Sequence, residues 1–341
     1  MFSKDIGIDL GTVNVLIYVK GEGIVLNEPS VIVIDEETKE VIAVGTEANS
    51  MLGKTPGKLR AIKPMKDGVI ANFDMVESLL EHFLKKVKLG TKITRPRILI
   101  CCPSNITEVE KNAIKEVAEK TGAKKVFVEE EPKVAAVGAG LDIGKPEGNM
   151  VVDIGGGTTD IAVLSLGNIV TSASIKTAGN TFDQNIIDFI KEKYKLLIGE
   201  KTAENIKIKI GTVKQGKNKE KLEIKGRDLV GGLPKTITIT SDEIEQSLQD
   251  SIKKIIAMIK VVLEQTPPEL SADIIEKGII ITGGGALLKG LPELLQEELK
   301  VPVFKAEEPL SCVAEGTGIM LEKLYYIDKW CLSIFFFYKM L

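Results

Sequence analysis

Histidine is almost missing from this chain of 341 residues. His82 stands alone in LLEHFLKK, where a helical period sets it beside an apolar face as a structural residue. Catalytic triads built on an imidazole base and multi-histidine metal sites are thereby excluded. Cysteine is scarce too: Cys101, Cys102, Cys312 and Cys331 form no C-x-x-C pair and follow no secretory signal. Neither a disulfide framework nor a zinc site is expected, and a reducing cytoplasm fits. An excess of one charge is also lacking. The 45 Lys and Arg are interspersed with 48 Asp and Glu, for a net charge of −3, so no basic field awaits a phosphate backbone and nucleic acid is not an expected partner. No apolar run approaches the roughly 20 residues that span a bilayer. The nearest, WCLSIFFFYKML from Trp330 to Leu341, is broken by Ser333 and Lys339. Of sixteen aromatic residues, seven fall between Tyr325 and Tyr338, so this tail differs in composition from everything before it.

What is present is an ordinary globular mixture, 44% hydrophobic and 27% charged, long enough for about two domains. The first third reads as hairpins: DIGIDLG, VNVLIYVK and GIVLNEPSVIVIDEETKEVIAVG are rich in Val and Ile and are broken by Gly or Asp-Glu turns. After Pro103, Thr107 and Glu110 make a capping box, and Val109, Ala113, Ile114 and Val117 recur at helical spacing until Gly122. KKVFVEEEP returns to strand. The second half repeats the pattern with a glycine-turn hairpin from Met150 and a helix after Gly179. A long helix opens at Thr240 and Glu243, carries Ile244, Leu248, Ile252, Ile255, Ile259 and Val262 on one face, and stops at Pro267-Pro268. GIIITGGGALLKGLPELL then reads as strand, turn and helix. Two α/β halves beginning with the same hairpin suggest a duplication.

The paired hairpins carry the chemistry. IGIDLGTVNVLIY at residues 6–18 and VVDIGGGTTDIAVL at residues 151–164 each place an Asp before a glycine turn with threonine. Neither turn is a Walker A loop or a dinucleotide fingerprint: the candidate end Gly53-Lys54-Thr55 has Ala48 where the first glycine belongs, and a strand, not a helix, follows Gly157. Glycine turns let backbone amides converge on an anion. Two of them facing each other would grip a triphosphate, with two carboxylates for Mg²⁺. A single such hairpin is, equally, an ordinary tight turn.

Two further segments extend the pattern, and with the hairpins they resemble the actin, sugar-kinase and heat-shock-chaperone ATPase superfamily. The hairpins resemble its two phosphate turns, VEEEPKVAAVGAGL at 128–141 its first connecting segment, and GIIITGGGALLKG at 278–290 its adenosine segment. DIGIDLGT, NEPSVI, GKTPGK, AIKPMKDGVIA, DIGGGTTD and TPPELSADIIEKGI occur in the order and spacing of bacterial actins of the MreB type, over nearly all of residues 1–324. The resemblance implies a duplicated actin-like ATPase fold: two large α/β lobes with mixed sheets and flanking helices, a nucleotide cleft between them, and a small subdomain on each. Residues 1–32, 66–145 and 318–341 would form subdomain IA, 33–65 IB, 146–181 and 241–317 IIA, and 182–240 IIB.

The resemblance also implies site roles. Gly11, Thr12, Val13 and Asn14 would meet the β and γ phosphates of ATP, Gly155, Gly156, Gly157 and Thr158 would form the second clamp, and Asp9 and Asp153 would orient Mg²⁺ through water. Gly179, Asp183, Glu204, Lys207, Gly283, Gly284 and Gly285 would lie around the adenosine, although Glu204 and Lys207 also suit an ordinary surface pair. Glu131 at the acid-Pro step would align the attacking water. As the last acid of a run it is equally a solvated charge, yet Pro132 makes it the point where a strand hands over to a helix. The implied function is polymerisation: double protofilaments, coupled to weak ATP hydrolysis, at the inner face of the cytoplasmic membrane, organising cell-wall synthesis in rod-shaped bacteria with membrane proteins of the elongation machinery. A small-molecule kinase and a non-hydrolysing nucleotide-binding scaffold are the alternatives. A chaperone of the superfamily would continue into a substrate domain. Val13, Val15 and Asp160 depart mildly from the family pattern. MFSK is too short for the amphipathic anchor some members carry, and the loop KLGTKITRP offers only Leu89 and Ile93 to a membrane; the aromatic tail after Leu324 is unlike the family and reads as an interfacial anchor, a cap on the core or an aberrant end of the reading frame.

Overall fold

The computed structural model describes residues 5–87, 95–103, 106–214 and 219–322. Leu89, Ile93, the first four residues and the tail 325–341 lie outside this set. The chain forms two compact units, one from the residues up to Leu141 together with those from Ser311, the other Asp142–Leu310.

Unit 1 begins with β1 (Ile6–Leu10), β2 (Asn14–Val19) and β3 (Gly23–Pro29), followed by β4 (Ile32–Asp35), β5 (Val41–Val44), α1 (Thr46–Met51) and β6 (Leu59–Ile62). Then come β7 (Met65–Lys66), β8 (Val69–Ile70), α2 (Phe73–Lys86), β9 (Arg97–Cys102), α3 (Glu108–Lys120), β10 (Lys125–Glu130) and α4 (Glu131–Gly138). Its main sheet has the order β10-β9-β1-β2-β3, with β1, β9 and β10 mutually parallel and the β1–β2–β3 pairings antiparallel. β1 is buried along its whole length, which is why IGIDL reads as a nearly unbroken apolar run: a central strand covered on both faces has no reason to alternate.

Unit 2 repeats this plan with β11 (Asn149–Ile154), β12 (Thr159–Ser165) and β13 (Asn168–Ile175), then α5 (Gly179–Tyr194), β14 (Leu196–Leu197), α6 (Glu200–Ile210), β15 (Lys221–Asp228) and β16 (Pro234–Thr240). α7 (Ser241–Gln265), α8 (Pro268–Lys277), β17 (Ile279–Thr282), a 3₁₀ turn at Gly284–Leu287, α9 (Leu291–Leu299) and β18 (Val303–Lys305) complete it. Its sheet order is β13-β12-β11-β17-β18. Read from β18, that is the order of unit 1. The duplication extends to register, because one offset of 144 carries the pair Ile6↔Val19 to Met150↔Val163 and Leu10↔Val15 to Ile154↔Thr159.

The long helix behaves as its spacing requires. Ile244, Leu248, Ile252, Ile255, Ile259 and Val262 are all buried in the unit 2 core, where each contributes about 1.5–3 kcal/mol. The Thr107 box forms completely, with Glu110 N donating to the Thr107 hydroxyl at 3.2 Å and Thr107 N to the Glu110 carboxylate at 2.8 Å. Val109 corrects the expectation. It is 79% exposed on α3 while Ile114 and Val117 are buried, because five residues of helix advance about 500° and turn Val109 some 140° away from Ile114. His82 is exposed on α2, with its ring edge toward Phe83.

The compact units change over at Leu141/Asp142 and Leu310/Ser311, whereas the sequence put the changes at 145/146 and 317/318. Two local contacts account for the difference. Gly167 N and Leu166 N donate to the carbonyls of Ile143 and Lys145, tying that segment to unit 2. Residues 312–322 are helical and lie against α4 in unit 1, so closely that a Cβ on Gly138 would come within 1.7 Å of the Cys312 carbonyl oxygen.

Candidate nucleotide-binding residues of the two units

In unit 1 the candidate residues gather at the carboxyl ends of the parallel strands, the edge where open α/β sheets bind ligands. Asp9 stands opposite Cys101 on β9, and Cys101 stands opposite Glu129 on β10. Glu131 lies just beyond that row as the first residue of α4, with Glu130 as N-cap and Pro132 buried in the first turn. A half-buried carboxylate therefore sits where strand passes to helix, as the acid-Pro step suggests. Its neighbour Glu129 is engaged by Lys133 at 3.1 Å. Buried Cys102 is pushed up to about 12 by burial, against the pull of Lys111 and with a further push from the negative charge of Glu131. It is an inert thiol.

The turn after β1 is held from outside. Ser30 Oγ donates to the Gly11 carbonyl at 2.7 Å, and Ser30 N donates to the Val13 carbonyl at 2.8 Å. Asn14 Nδ2 donates to Asn27 Oδ1 at 2.9 Å, which uses one of its two amide hydrogens. Gly11 has to be glycine, because a Cβ there would meet the Asn14 carbonyl oxygen at 2.6 Å.

The turn after β11 is restrained in the same way by other groups. Gly179 N and Asn180 N, at the start of α5, donate to the carbonyls of Gly155 and Gly156 at 3.1 and 2.8 Å. Lys207 on α6 reaches across to donate to the Gly179 carbonyl at 3.0 Å and to Asp183 at 2.9 Å. Gly179, Asp183 and Lys207 are thus one cluster braced against Gly155 and Gly156. Lys207 pairs with Asp183 and not with Glu204, which is exposed one turn away on α6, so the reading of Glu204 and Lys207 as a surface pair does not hold. Gly283, at φ +78°, lies against Asp153, where a Cβ would approach Oδ1 to 2.3 Å, and a Cβ on Gly285 would strike Ile154. Gly283 and Gly285 therefore pack on the Asp153–Ile154 end of β11, from which the turn Gly155, Gly156, Gly157 and Thr158 continues, while Gly284 faces Leu310. Spacing alone did not reveal three further residues of this corner: Asp160, directly opposite Asp153 on β12; Thr282, opposite it on β17; and Pro309, whose carbonyl accepts from Gly283 N at 2.9 Å. The acid at the end of the GGGTTD run was the one visible signal.

Two properties of these turns suit a polyphosphate and its cation. The carbonyls of Gly11, Val13, Gly155 and Gly156 are occupied, while among the described residues no backbone carbonyl accepts from the amides of Thr12, Val13, Gly156 or Gly157. Asp9 and Asp153 are buried, at 9% and 2% exposure, and burial pushes the Asp9 carboxyl up to about 7. A cation beside such a group restores its charged form. Among the described residues no group of three or more His, Cys, Asp or Glu is placed to cage a metal, so a cation here would keep most of its water, as Mg²⁺ does.

Residues 3–329 match the family model described as MreB/Mbl protein. The chain belongs to the MreB/Mbl family. Among its relatives in that family, the cell shape-determining protein Mbl of Bacillus subtilis (strain 168) is 61% identical over 333 residues, covering 98% of this chain and all of the other. The cell shape-determining protein MreB of Escherichia coli (strain K12) is 50% identical over 95% of both chains. The fold is that of the actin-like ATPases: MreB5 of Spiroplasma citri bound to ADP superposes with a TM-score of 0.91 at 43% identity, covering 96% of this chain and 98% of the other. The MamK double helical filament shares the fold alone, with a TM-score of 0.79 at 22% identity over 94% of this chain and 98% of the other.

Proposed function

We propose that this MreB/Mbl chain is a cytoskeletal protein that assembles with ATP into double protofilaments and helps to set the shape of a rod-shaped cell. In this reading the filaments lie at the inner face of the cytoplasmic membrane, with membrane proteins of the cell-wall elongation machinery as partners. The observation that carries it is the 61% identity to the B. subtilis protein across nearly the full length of both chains. Among the described residues no helix is long and apolar enough to cross a membrane.

A solved relative binds ADP and another form of it binds AMPPNP, which supports ATP as the ligand of this chain. The amides of Thr12, Val13, Gly156 and Gly157 would hold phosphate oxygens without rearrangement, since Ser30 and the start of α5 already fix the turns. Asp9 and Asp153 would hold Mg²⁺, which when bound offsets charge on the β and γ phosphates. Glu131 would accept a hydrogen bond from the attacking water and orient it. Positioning of this kind supplies most of the catalysis in phosphoryl transfer, and a single half-buried carboxylate fits a slow ATPase.

Sedimentation of the purified chain with ATP and Mg²⁺, alone and with anionic vesicles, tests the proposal. Pelleting that depends on protein concentration is expected, and it should increase with vesicles. Glu131→Ala should lower ATP hydrolysis at least tenfold and leave ATP affinity within about twofold. A chain that stays monomeric at every concentration in both conditions would remove the filament reading.

A further inference from the structure

Four consecutive residues at the end of β3, Asn27 to Ser30, hold two parts of unit 1 at once. Toward the first glycine turn, Asn27 Oδ1 accepts from Asn14 Nδ2 at 2.9 Å, while Ser30 donates through its hydroxyl to the Gly11 carbonyl and through its amide to the Val13 carbonyl. Toward the small β5-β4-β6 sheet, Glu28 supplies what α1 lacks. The N-cap of that helix is Gly45, which has no side chain to cap it, and the Glu28 carboxylate instead accepts from Thr46 N at 2.7 Å and from the Thr46 hydroxyl. Its other oxygen accepts from Lys86 Nζ in the last turn of α2. Gly45, at φ +67°, has to be glycine, since a Cβ there would come within 2.6 Å of Glu28 Oε2.

The strand itself does not require an acid at this place. Glu28 stands opposite Val15 on β2. In unit 2 the counterpart of Val15 under the offset of 144 is Thr159, and the residue opposite Thr159 is Ile175, which packs against the core. The same three-stranded meander is therefore built with an apolar side chain where unit 1 has Glu28. What the acid adds is a set of charge-assisted hydrogen bonds, which are shorter and stronger than neutral ones. Burial works against its charge, and the bonds from Lys86 and Thr46 prevail and lower its pKa. Asn27 adjoins Glu28 in the chain and Ser30 lies two residues on, so a shift of α1 reaches the groups that fix the turn through only a few planar peptide units.

We propose that Glu28 is a positioning residue for the first phosphate turn: its clamp on α1 and α2 sets where Asn27 and Ser30 hold the turn, and a nucleotide on the turn tightens the small sheet in return. The inference rests on the reading of that turn as a phosphate contact. Coupling between two sites is reciprocal, so it can be read from either end.

Hydrogen exchange of the full chain with and without saturating ATP and Mg²⁺ tests this at the backbone amides of β5 and α1. In the parent, ATP should slow their exchange at least about fivefold, the lower end of the usual coupling between sites. In Glu28→Gln, whose amide group cannot accept on both sides, the ratio of rates without and with ATP should fall to about one, and ATP affinity should drop about fivefold. A merely structural role would speed exchange in both states alike and leave that ratio unchanged. Lys86→Met removes one donor from a side chain that is 55% exposed, should keep the fold and should lower the ratio in the same sense, so it decides the matter if Glu28→Gln does not fold. A parent-like ratio in the deciding variant, or an ATP-bound parent whose exchange is not slowed, would overturn the inference and leave Glu28 a helix cap. A parent chain that binds no ATP would overturn the reading of the turn itself.

Discussion

Among single residues, Glu243 shows how much one side chain can join. Its carboxylate accepts from Thr240 N at 2.8 Å, from the Thr240 hydroxyl at 2.9 Å, from Lys193 Nζ at 2.7 Å and from the Tyr194 hydroxyl. The start of α7 is thereby pinned to the end of α5. Burial alone would raise its pKa, but the hydrogen bonds from Lys193, Tyr194 and Thr240 prevail and hold it at about 2, against an ordinary 4.5. A carboxylate depressed in the folded state stabilises fully above its unfolded value and loses that contribution as pH falls toward its folded value. Glu243→Gln should therefore cost up to about 3 kcal/mol near pH 7. The gap to the parent should narrow steadily between pH 4.5 and 2, which urea denaturation of both proteins across that range will measure. The box of Thr240 and Glu243 was legible from its spacing. Lys193 and Tyr194 were not, because nothing local in the sequence says that a helix 49 residues earlier ends beside it.

The elements were largely readable because periodicity reports burial, and most failures occur where a contact is distant or short. VVDIGGGTTDIAVL was recognisable as a strand, turn and strand because both strands are buried throughout. Val303–Lys305 was missed because it is three residues long with only Val303 buried. The small residues of α4 announced close packing without naming the partner. That partner is the 312–322 helix, against which Gly138 and Gly316 leave backbone facing backbone: a Cβ on Gly316 would lie 2.1 Å from the Val134 carbonyl oxygen. Gly138→Ala or Gly316→Ala forces the two helices apart and should cost about 3 kcal/mol or more. Gly199→Ala, where an added Cβ meets nothing within 4 Å, should stay within about 1 kcal/mol. Guanidinium denaturation of the three variants compares them directly. Equal costs at Gly138 and Gly199 would mean that the helices yield.

At the scale of the whole molecule, the same sheet is built twice with one register offset, and the two copies have been furnished differently. The first carries Asp9 beside Leu16, with Glu131 just past the row. The second carries the Asp153 and Asp160 pair, bound by Gly179, Gly283 and Lys207 into a braced corner. The duplication could be read from the repeated Asp-Gly-Thr hairpins, while this division of chemistry required the sheet registers. The proposed function assigns both turns to one nucleotide, and isothermal titration with Mg·ATP tests that proposal on the parent chain, Asp9→Asn and Asp153→Asn. The proposal predicts one ATP per chain, and at least a tenfold loss of affinity from either substitution, since each would remove a charge-assisted contact to the proposed cation. Two independent sites per chain, or a substitution in one turn that leaves ATP affinity unchanged, would contradict it.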